Sequence, residues 1–302
     1  MNIFILHPGK ANYPEISAYH NFFSRDFNVT NGTIEQYDSF EDKNNTILWC
    51  IMGFYPKKLH AKLIIHDYRS LSVGHFPKTK DLIKKHLNQK PDIRIFQNKR
   101  MEGVMGFRDD APSLTLPMGV PEWIFNLDVD HTLPGGTYCY IGEITRERGM
   151  HKVIRAFQKY RKFKNETLVL VGPTEETIKN KFSDDPNIIF TGKLPQADAL
   201  KIVKNSSFCI SRIPHKYPYC YQAPTKLLEY FALEKNILCN DALSNTETAK
   251  LLGIDIIICP DEIFTEDLPY APKKCKSPPG ESINWNTAIQ SSRVYEAIRS
   301  RI

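Results

Sequence analysis

The chain has 302 residues and a formal net charge of +6, and 41% of its residues are apolar and 25% charged. These values are typical of a soluble globular protein with one large or two ordinary domains, and no apolar run reaches the roughly 20 residues that cross a bilayer. Seven cysteines without a C-x-x-C pair disfavour a zinc site or a disulfide framework. We therefore expect a reducing, cytoplasmic setting and no secretory leader.

The first part of the chain, residues 1–120, predicts strands that alternate with helices. Apolar residues at helical spacing predict helices at EISAYHNFFSRDF and KTKDLIKKHLN. Short apolar runs predict strands at NIFIL, TILWCIMGF, AKLIIHDYRS, PDIRIFQN and SLTLPMGV. This alternation favours a parallel sheet covered on both faces. The stretch PEWIFNLDVDHTLPGG, rich in proline and glycine, then predicts a linker.

A second alternating series follows the linker. Strands are predicted at TYCYIGEI, ETLVLVG, NIIFTG, SFCISRI, KNILCND and DIIICP. Helices are predicted between them, at MHKVIRAFQKYRKF, EETIKNKF, PQADALKIVKNS, APTKLLEYFALEKN and SNTETAKLLG. A last helix is predicted at WNTAIQSSRVYEAIRSRI. The sequence therefore predicts two doubly wound α/β domains, and such sheets bind ligands beyond the carboxyl ends of their strands.

Several common fingerprints are missing from the sequence. It contains no G-x-G-x-x-G, no G-x-x-x-x-G-K-[ST] and no G-x-S-x-G. A nicotinamide-type Rossmann enzyme, a P-loop ATPase and a nucleophile-elbow hydrolase are therefore disfavoured.

Two stretches of the second half indicate an anion site. In YIGEITRERG a strand runs into a tight turn at Gly142 and a loop with Arg146 and Arg148, whose planar forks suit phosphate. In APTKLLEYFALEKN the residues Lys226 and Glu229 lie three apart at a helix start, on one face. Free N–H groups and Lys226 there suit a diphosphate, and Glu229 could accept hydrogen bonds from ribose hydroxyls. The alternatives are a mixed-charge surface loop and a helix with an ordinary acid and base in its first turn.

Four stretches carry a family resemblance: YIGEITRERGMHKVIRAF, LVLVG, IIFTGKLPQADALKIVKNSSFCI and APTKLLEYFALEKNILCND. In this order they resemble the nucleotide-sugar-binding domain of GT-B glycosyltransferases in the retaining family called glycosyltransferase group one (family 4-like). The resemblance implies two facing Rossmann-like domains, an acceptor-binding one at 1–132 and a nucleotide-sugar-binding one at 133–282. It also implies a terminal helix at 283–302 that packs back on the first domain.

The activity that the resemblance implies is transfer of a hexosyl or pentosyl group from a nucleotide diphosphate sugar, with retention. The implied acceptor is a saccharide or a lipid-linked saccharide, in surface polysaccharide or glycan assembly. No cofactor is implied, and no metal is required.

Residue by residue, Arg148 matches the family's phosphate-binding lysine, and Glu229 matches the second glutamate of its glutamate–seven residues–glutamate motif, which contacts the donor ribose. Thr225, which is also expected to cap its helix, and Lys226 match residues that hold the diphosphate. The complete expected sets are as follows: catalytic His66, Asp67, Arg148 and Lys226; donor-binding Gly9, Gly142, Glu143, Arg146, Arg148, Gly172, Gly192, Lys193, Leu194, Tyr221, Thr225, Lys226, Leu227 and Glu229; acceptor-binding His7, Lys10 and Arg69.

Three of these assignments depend on segments that resemble the family only in their position or in part of their sequence. The loop lining the base corresponds to residues 192–194. HDYR, residues 66–69, resembles a histidine segment that often faces the donor sugar, so His66 is the candidate for contacting the sugar or relaying a proton. Gly9 lies in the first loop, which in relatives approaches the phosphates or the acceptor.

The sequence departs from the family pattern at two positions. Glu143 stands where an arginine usually follows the glycine, so one phosphate cation is missing, and Lys226 or Arg146 is expected to substitute. Tyr221 replaces the first glutamate of the paired motif, at the position that meets the transferred sugar. These departures keep two alternatives open: a sugar-nucleotide epimerase or hydrolase of the same fold, and a non-catalytic nucleotide-sugar-binding subunit.

The sequence also bears on three other kinds of partner, namely metal ions, membranes and nucleic acids. LDVDH contains Asp128-x-Asp130, a spacing that binds a divalent cation in other transferases, but it lies in the linker and we expect no metal there. The lysine clusters YPKKLHAK and KTKDLIKKHLNQK fit either a solvated helix face or peripheral contact with anionic lipid at the inner face of a membrane. No aromatic–basic ladder indicates nucleic acid.

Overall fold

The computed structural model describes residues 1–9, 13–55, 57–161, 165–266, 268 and 282–302. The chain divides into two compact units, which we call unit one and unit two. Unit one comprises Met1–Pro121, Tyr221–Ala223 and Asn284–Ile302, and unit two comprises Glu122–Cys220 and Pro224–Ile283. The predicted linker therefore divides after Pro121, and its Glu122–Asn126 segment forms a 3-10 turn in unit two.

Unit one contains a six-stranded parallel sheet in the order β2-β1-β3-β4-β5-β6. Its strands are β1 (Asn2–Leu6), β2 (Asn28–Gly32), β3 (Thr46–Ile51), β4 (Leu63–Tyr68), β5 (Ile93–Phe96) and β6 (Ser113–Thr115). Its first four helices are α1 (Pro14–Phe23), α2 (Ile34–Asp38), α3 (Pro77–Leu87) and α4 (Lys99–Met105). Every residue of β3 and β4 is buried, as expected for central strands covered on both faces.

Unit two contains a second six-stranded parallel sheet, in the order β12-β11-β10-β7-β8-β9. Its strands are β7 (Tyr138–Ile141), β8 (Leu168–Val171), β9 (Ile188–Gly192), β10 (Phe208–Ser211), β11 (Asn236–Asn240) and β12 (Ile256–Cys259). Its helices are α5 (Met150–Tyr160), α6 (Glu176–Phe182), α7 (Gln196–Lys204), α8 (Thr225–Ala232) and α9 (Leu243–Leu252). The chain reverses its strand order between β7 and β10, and this switch point is where open α/β sheets bind ligands.

The helix predicted at MHKVIRAFQKYRKF forms as α5, and one of its faces packs in the core of unit two. Val153, Ile154 and Phe157 are fully buried, and Tyr160 packs against the same cluster. These residues recur every three or four positions, so one side of α5 covers the sheet. The prediction succeeded because the apolar period was strong.

The chain ends in two helices, α10 (Trp285–Ser291) and α11 (Val294–Arg299), where the sequence predicted one. The break lies at Arg293, which has a φ of 57°. Both helices belong to unit one, where Trp285 lies 6.2 Å from the ring of Tyr19 and the Tyr295 hydroxyl donates to Asp26 at 3.0 Å. No helix in the described ranges has the length and apolar content that a bilayer crossing requires.

Three elements of unit one were not predicted, namely β2, α2 and α4. β2 has the sequence NVTNG, which is poor in strand-forming residues, and it forms through parallel pairing with β1. α4 begins after Asn98, whose side chain accepts a hydrogen bond from the Met101 N–H at 2.9 Å. In unit two, Thr225 is the first residue of α8 rather than its cap, and the residue before it is Pro224, which makes no side-chain capping bond.

Candidate functional site

The strand ends of β7 and β8 cross closely at two glycines. The Gly142 N–H donates to the Val171 carbonyl at 2.9 Å, and Gly172 follows β8 with a φ of 139°. A Cβ atom on Gly172 would lie 2.2 Å from the Gly142 carbonyl oxygen, so only glycine fits there. The turn after β7 is thereby held against the turn after β8, at the carboxyl edge of the sheet.

Lys226 is the cation nearest this turn. Its ammonium lies 4.0 Å from the centroid of the Tyr140 ring, and a Cβ atom on Gly142 would lie 3.3 Å from it. In the described part of the chain no carboxylate forms a salt bridge with Lys226. The Leu227 N–H donates to the Pro224 carbonyl at 2.9 Å, which leaves the N–H groups of Thr225 and Lys226 as the helix-start donors for an anion. Lys226, at the start of α8, thus places its ammonium beside β7 and the Gly142 turn.

Glu229 lies one turn further along α8 and is half-buried. It accepts a hydrogen bond from the Gln196 Nε2 at 2.8 Å, and Gln196 begins α7 directly after the loop at residues 193–195, which follows β9. Burial raises the pKa of Glu229, whereas the Gln196 hydrogen bond and the charge of Lys226 act against that rise. The structure thus brings the predicted ribose contact and the predicted base loop together, through a glutamine that the sequence analysis missed.

Arg148 is paired within its own loop. Its Nη2 and Nε lie 3.1 Å and 3.3 Å from Oε2 of Glu143, and its guanidinium stacks 4.3 Å from the centroid of the Tyr219 ring. The Arg148 carbonyl accepts a hydrogen bond from Arg212, whose guanidinium also pairs with Asp261. The charge of Arg148, the predicted phosphate cation, is therefore offset by Glu143, the residue that departs from the family pattern.

Arg146 pairs with Glu175, which lies in the segment after β8. Its N–H donates to Glu175 Oε2 at 2.8 Å, and its Nε lies 3.4 Å from Oε1 of the same carboxylate. The backbone bond from Arg146 and the hydroxyl of Thr177 lower the pKa of Glu175. Among Arg146, Arg148 and Lys226, the three cations predicted to hold phosphate, Lys226 is thus the one without a salt bridge to a carboxylate in the described structure.

The remaining predicted donor residues of this half differ in access. Thr225 and Lys193 are exposed, Gly192 and Leu194 are half-buried, and Leu227 is fully buried. Leu227 therefore contributes to the core of unit two through its side chain. Tyr221 belongs to unit one, where its carbonyl accepts a hydrogen bond from Asn98 at 3.0 Å.

In unit one, His7 and Gly9 share the loop after β1. The Gly9 N–H donates to His7 Nδ1 at 3.2 Å, so Nε2 carries the proton and faces Oδ1 of Asn31 at 3.3 Å. β1 lies between β2 and β3 at the switch point of this sheet. The third predicted residue of this loop, Lys10, lies outside the described residues.

Asp67 and Arg69 are inside unit one. Asp67 is fully buried and accepts hydrogen bonds from the Tyr19 hydroxyl at 2.6 Å and the Trp49 indole at 3.0 Å. Arg69 Nη1 lies 3.4 Å from Asp67 and donates to the Leu116 carbonyl at 2.8 Å. Burial raises the pKa of Asp67, and the charge of Arg69 opposes the rise. Asp67 and Arg69 thus form a buried ion pair that is hydrogen-bonded to the side chains and backbone around it.

His66 lies within β4 and is almost fully buried. Burial and the neighbouring charge of Arg94 lower the pKa of His66 to about 3. The imidazole is therefore neutral at physiological pH, which suits a hydrogen-bonding role and excludes a positive charge.

Asp130 of the D-x-D stretch is engaged locally. It accepts hydrogen bonds from the Thr132 hydroxyl at 2.6 Å and from Lys201 at 3.1 Å, and these partners lower its pKa. Within the described ranges, no group of three or more histidine, cysteine or acidic side chains is arranged to hold a metal ion.

The sequence matches no protein-family model and no curated protein sequence. The fold is similar to that of many solved structures, among them the following three. Sucrose-phosphate synthase from Thermosynechococcus elongatus has a TM-score of 0.69 at 12% identity, covering 100% of both chains. Anabaena HepE in complex with UDP and glucose has a TM-score of 0.67 at 11% identity, covering 99% of this chain and 100% of that one. AviGT4, a glycosyltransferase involved in avilamycin A biosynthesis, has a TM-score of 0.58 at 11% identity, covering 100% of this chain and 96% of that one.

These similarities define the fold. The chain has the GT-B fold of glycosyltransferases, with two Rossmann-like domains that are each built on a six-stranded parallel sheet. The fold expected from the sequence is therefore confirmed.

Proposed function

We propose that the protein is a retaining, metal-independent glycosyltransferase that uses a nucleotide diphosphate sugar. The single observation that carries the proposal is the convergence of Lys226, the first turn of α8 and the Gly142 turn at the switch point of unit two. HepE, a structural neighbour, is crystallised with UDP and with UDP-glucose, which supports the same ligand class here. The proposed site is equally compatible with transfer of a hexosyl group and of a pentosyl group.

The chemistry at such a site is stabilisation of a leaving group. The bond between the sugar C1 and the β-phosphate oxygen breaks, and the nucleoside diphosphate leaves with the electron pair. The acceptor hydroxyl bonds to C1 on the same face and gives its proton to a leaving phosphate oxygen, so the protein needs no nucleophile. Lys226 and the helix N–H groups stabilise the charge as it develops, while Glu229 with Gln196 is placed to hold ribose hydroxyls.

The acceptor that we assign is a saccharide, free or lipid-linked, in surface polysaccharide or glycan assembly. A lipid-linked acceptor would bring the protein into peripheral contact with the inner face of a membrane, and the lysine-rich stretches of unit one support this assignment. We assign the acceptor side to the loop of His7 and Gly9, and a sugar contact to the neutral His66.

The proposal is tested by a thermal-shift panel of nucleoside diphosphates and their sugars, with EDTA present throughout. A binding donor at about one hundred times its Kd should raise the melting temperature by about 5 °C or more, because it stabilises only the folded state. Transfer to an acceptor extract should then proceed equally with and without EDTA. Absence of stabilisation by every compound in the panel would contradict the proposal.

Product analysis separates the alternatives. Free sugar formed without an acceptor would identify a hydrolase, and an epimerised sugar nucleotide would identify an epimerase. Binding without any turnover would identify a non-catalytic subunit, an outcome that the Glu143–Arg148 pair makes chemically reasonable.

A further inference from the structure

Unit one exposes a cluster of large apolar side chains at and before α3. Phe76 is 79% exposed, and Leu82 and Leu87 are 56% and 60% exposed. Val73 and Ile83 are exposed in the same segment. We call residues 73–87 the α3 surface. Several large apolar side chains exposed within one short segment are typical of a contact with a partner or a membrane.

The orientation of α3 is the reverse of that expected for a helix in water. Its inward side carries Asp81, which is only 6% exposed, accepts hydrogen bonds from the Ser72 N–H at 3.1 Å and lies 3.7 Å from Lys84. Lys85 also points inward and donates to the Gly106 carbonyl. The outward side carries the leucines and Ile83 instead. A surface helix normally buries its apolar residues and exposes its charges, so the outward face of α3 is built for something other than water.

The α3 surface carries a net positive charge. Residues 73–87 contain four lysines and one acid, the buried Asp81, and because Lys84 pairs with Asp81 and Lys85 points inward, the exposed lysines are Lys78 and Lys80. Lys78 and Lys80 are exposed at the start of α3, and the Lys80 ammonium donates to the Val73 carbonyl at 3.1 Å, which keeps it beside the apolar cluster. Apolar side chains flanked by lysines are the pattern of helices that lie in the interface of an anionic bilayer.

We propose that the α3 surface lies in the interface of an anionic membrane, with its leucines among the acyl chains and with Lys78 and Lys80 at the lipid phosphates. The inference deepens the peripheral membrane contact proposed above, and it does not depend on which sugar is transferred. A zwitterionic bilayer has no net negative charge to attract these lysines. A second copy of this surface is also disfavoured as the partner, because it would place lysines against lysines.

The test is sedimentation of the full chain with vesicles of phosphatidylcholine alone and of phosphatidylcholine with phosphatidylglycerol. Binding should require the anionic lipid and weaken with salt. The double variant Leu82→Gln, Leu87→Gln should bind anionic vesicles about tenfold or more weakly, because it removes the inserted apolar groups. The double variant Lys78→Gln, Lys80→Gln should also lose about tenfold at low salt, since each lysine near the surface contributes to attraction.

The matched control is the pair Leu243→Gln, Leu251→Gln on α9 of unit two. These leucines are 59% and 82% exposed, but their neighbourhood contains Asp241, Glu247 and Asp255. This control should bind vesicles as the unaltered protein does, and all variants should keep the same melting temperature and nucleotide affinity. Phe76→Trp should show a blue-shifted emission only with anionic vesicles.

Three outcomes would overturn the proposal. The first is equal binding to both vesicle types, and the second is unaltered binding by the α3 leucine variant. The third is concentration-dependent dimerisation that this variant abolishes, because it would assign the surface to a second copy of the chain. Failure of nucleotide binding in the thermal-shift panel would leave these vesicle results unaffected, so the two proposals fail separately.

Discussion

Lys226→Ala should weaken the binding of a nucleoside diphosphate about ten- to hundredfold, since a hydrogen bond to a charged group contributes about 1.5–3 kcal/mol. The lysine lies against Tyr140 at the switch point, and no carboxylate of the described chain forms a salt bridge with it. Its charge is therefore available to a diphosphate. Titration calorimetry with the best nucleoside diphosphate of the panel measures the change.

The control for this variant is Lys250→Ala, which removes an exposed lysine in the last turn of α9. It should leave the affinity unchanged. Glu143→Gln should act in the opposite direction and tighten binding by about two- to fivefold, because it frees the guanidinium of Arg148 from a partly exposed ion pair. Equal affinities for Lys226→Ala and Lys250→Ala would remove Lys226 from the site.

Gly172→Ala should destabilise the protein by about 3–5 kcal/mol, a large part of the about 5–15 kcal/mol that holds a domain folded. Two effects add. A φ of 139° is strained for any residue with a Cβ, and that Cβ would lie 2.2 Å from the Gly142 carbonyl oxygen. The backbone must shift, which weakens the Gly142–Val171 hydrogen bond and displaces the turn beside Lys226. Urea denaturation measures the loss.

Gly253→Ala is the matched variant for backbone strain alone. Gly253 has a φ of 65° at the end of α9, and a Cβ there would meet no atom within 4 Å. Its cost should be about 1–2 kcal/mol, from the left-handed conformation only. If both alanine variants lost the same stability, the close crossing of the two turns would not be the cause.

Much of the fold could be predicted because the central strands are buried on both faces. β8 is LVLV and β3 is TILWCI, and such short, mainly apolar runs are typical of a buried strand and of few other structures. β2 could not be predicted, since NVTNG becomes a strand only when β1 offers it an edge. The break between α10 and α11 at Arg293 could not be predicted either, because no proline or glycine lies there.

The site was predictable where its residues are neighbours in sequence. Lys226 and Glu229 are three residues apart on one helix, so their shared face follows from helical geometry. Gln196 was missed because it meets Glu229 across 33 positions of the chain. The loss of free charge on Arg148 was missed for a related reason: its pairing with Glu143 and its stacking on Tyr219 depend on loop conformation, which no period encodes.

The most direct measurement is the crystal structure of the protein with the nucleoside diphosphate that the panel selects. The account predicts phosphate oxygens within hydrogen-bonding distance of the Lys226 ammonium and of the first N–H groups of α8, with ribose hydroxyls at Glu229. A diphosphate bound anywhere else, with Lys226 left in contact with water, would contradict it.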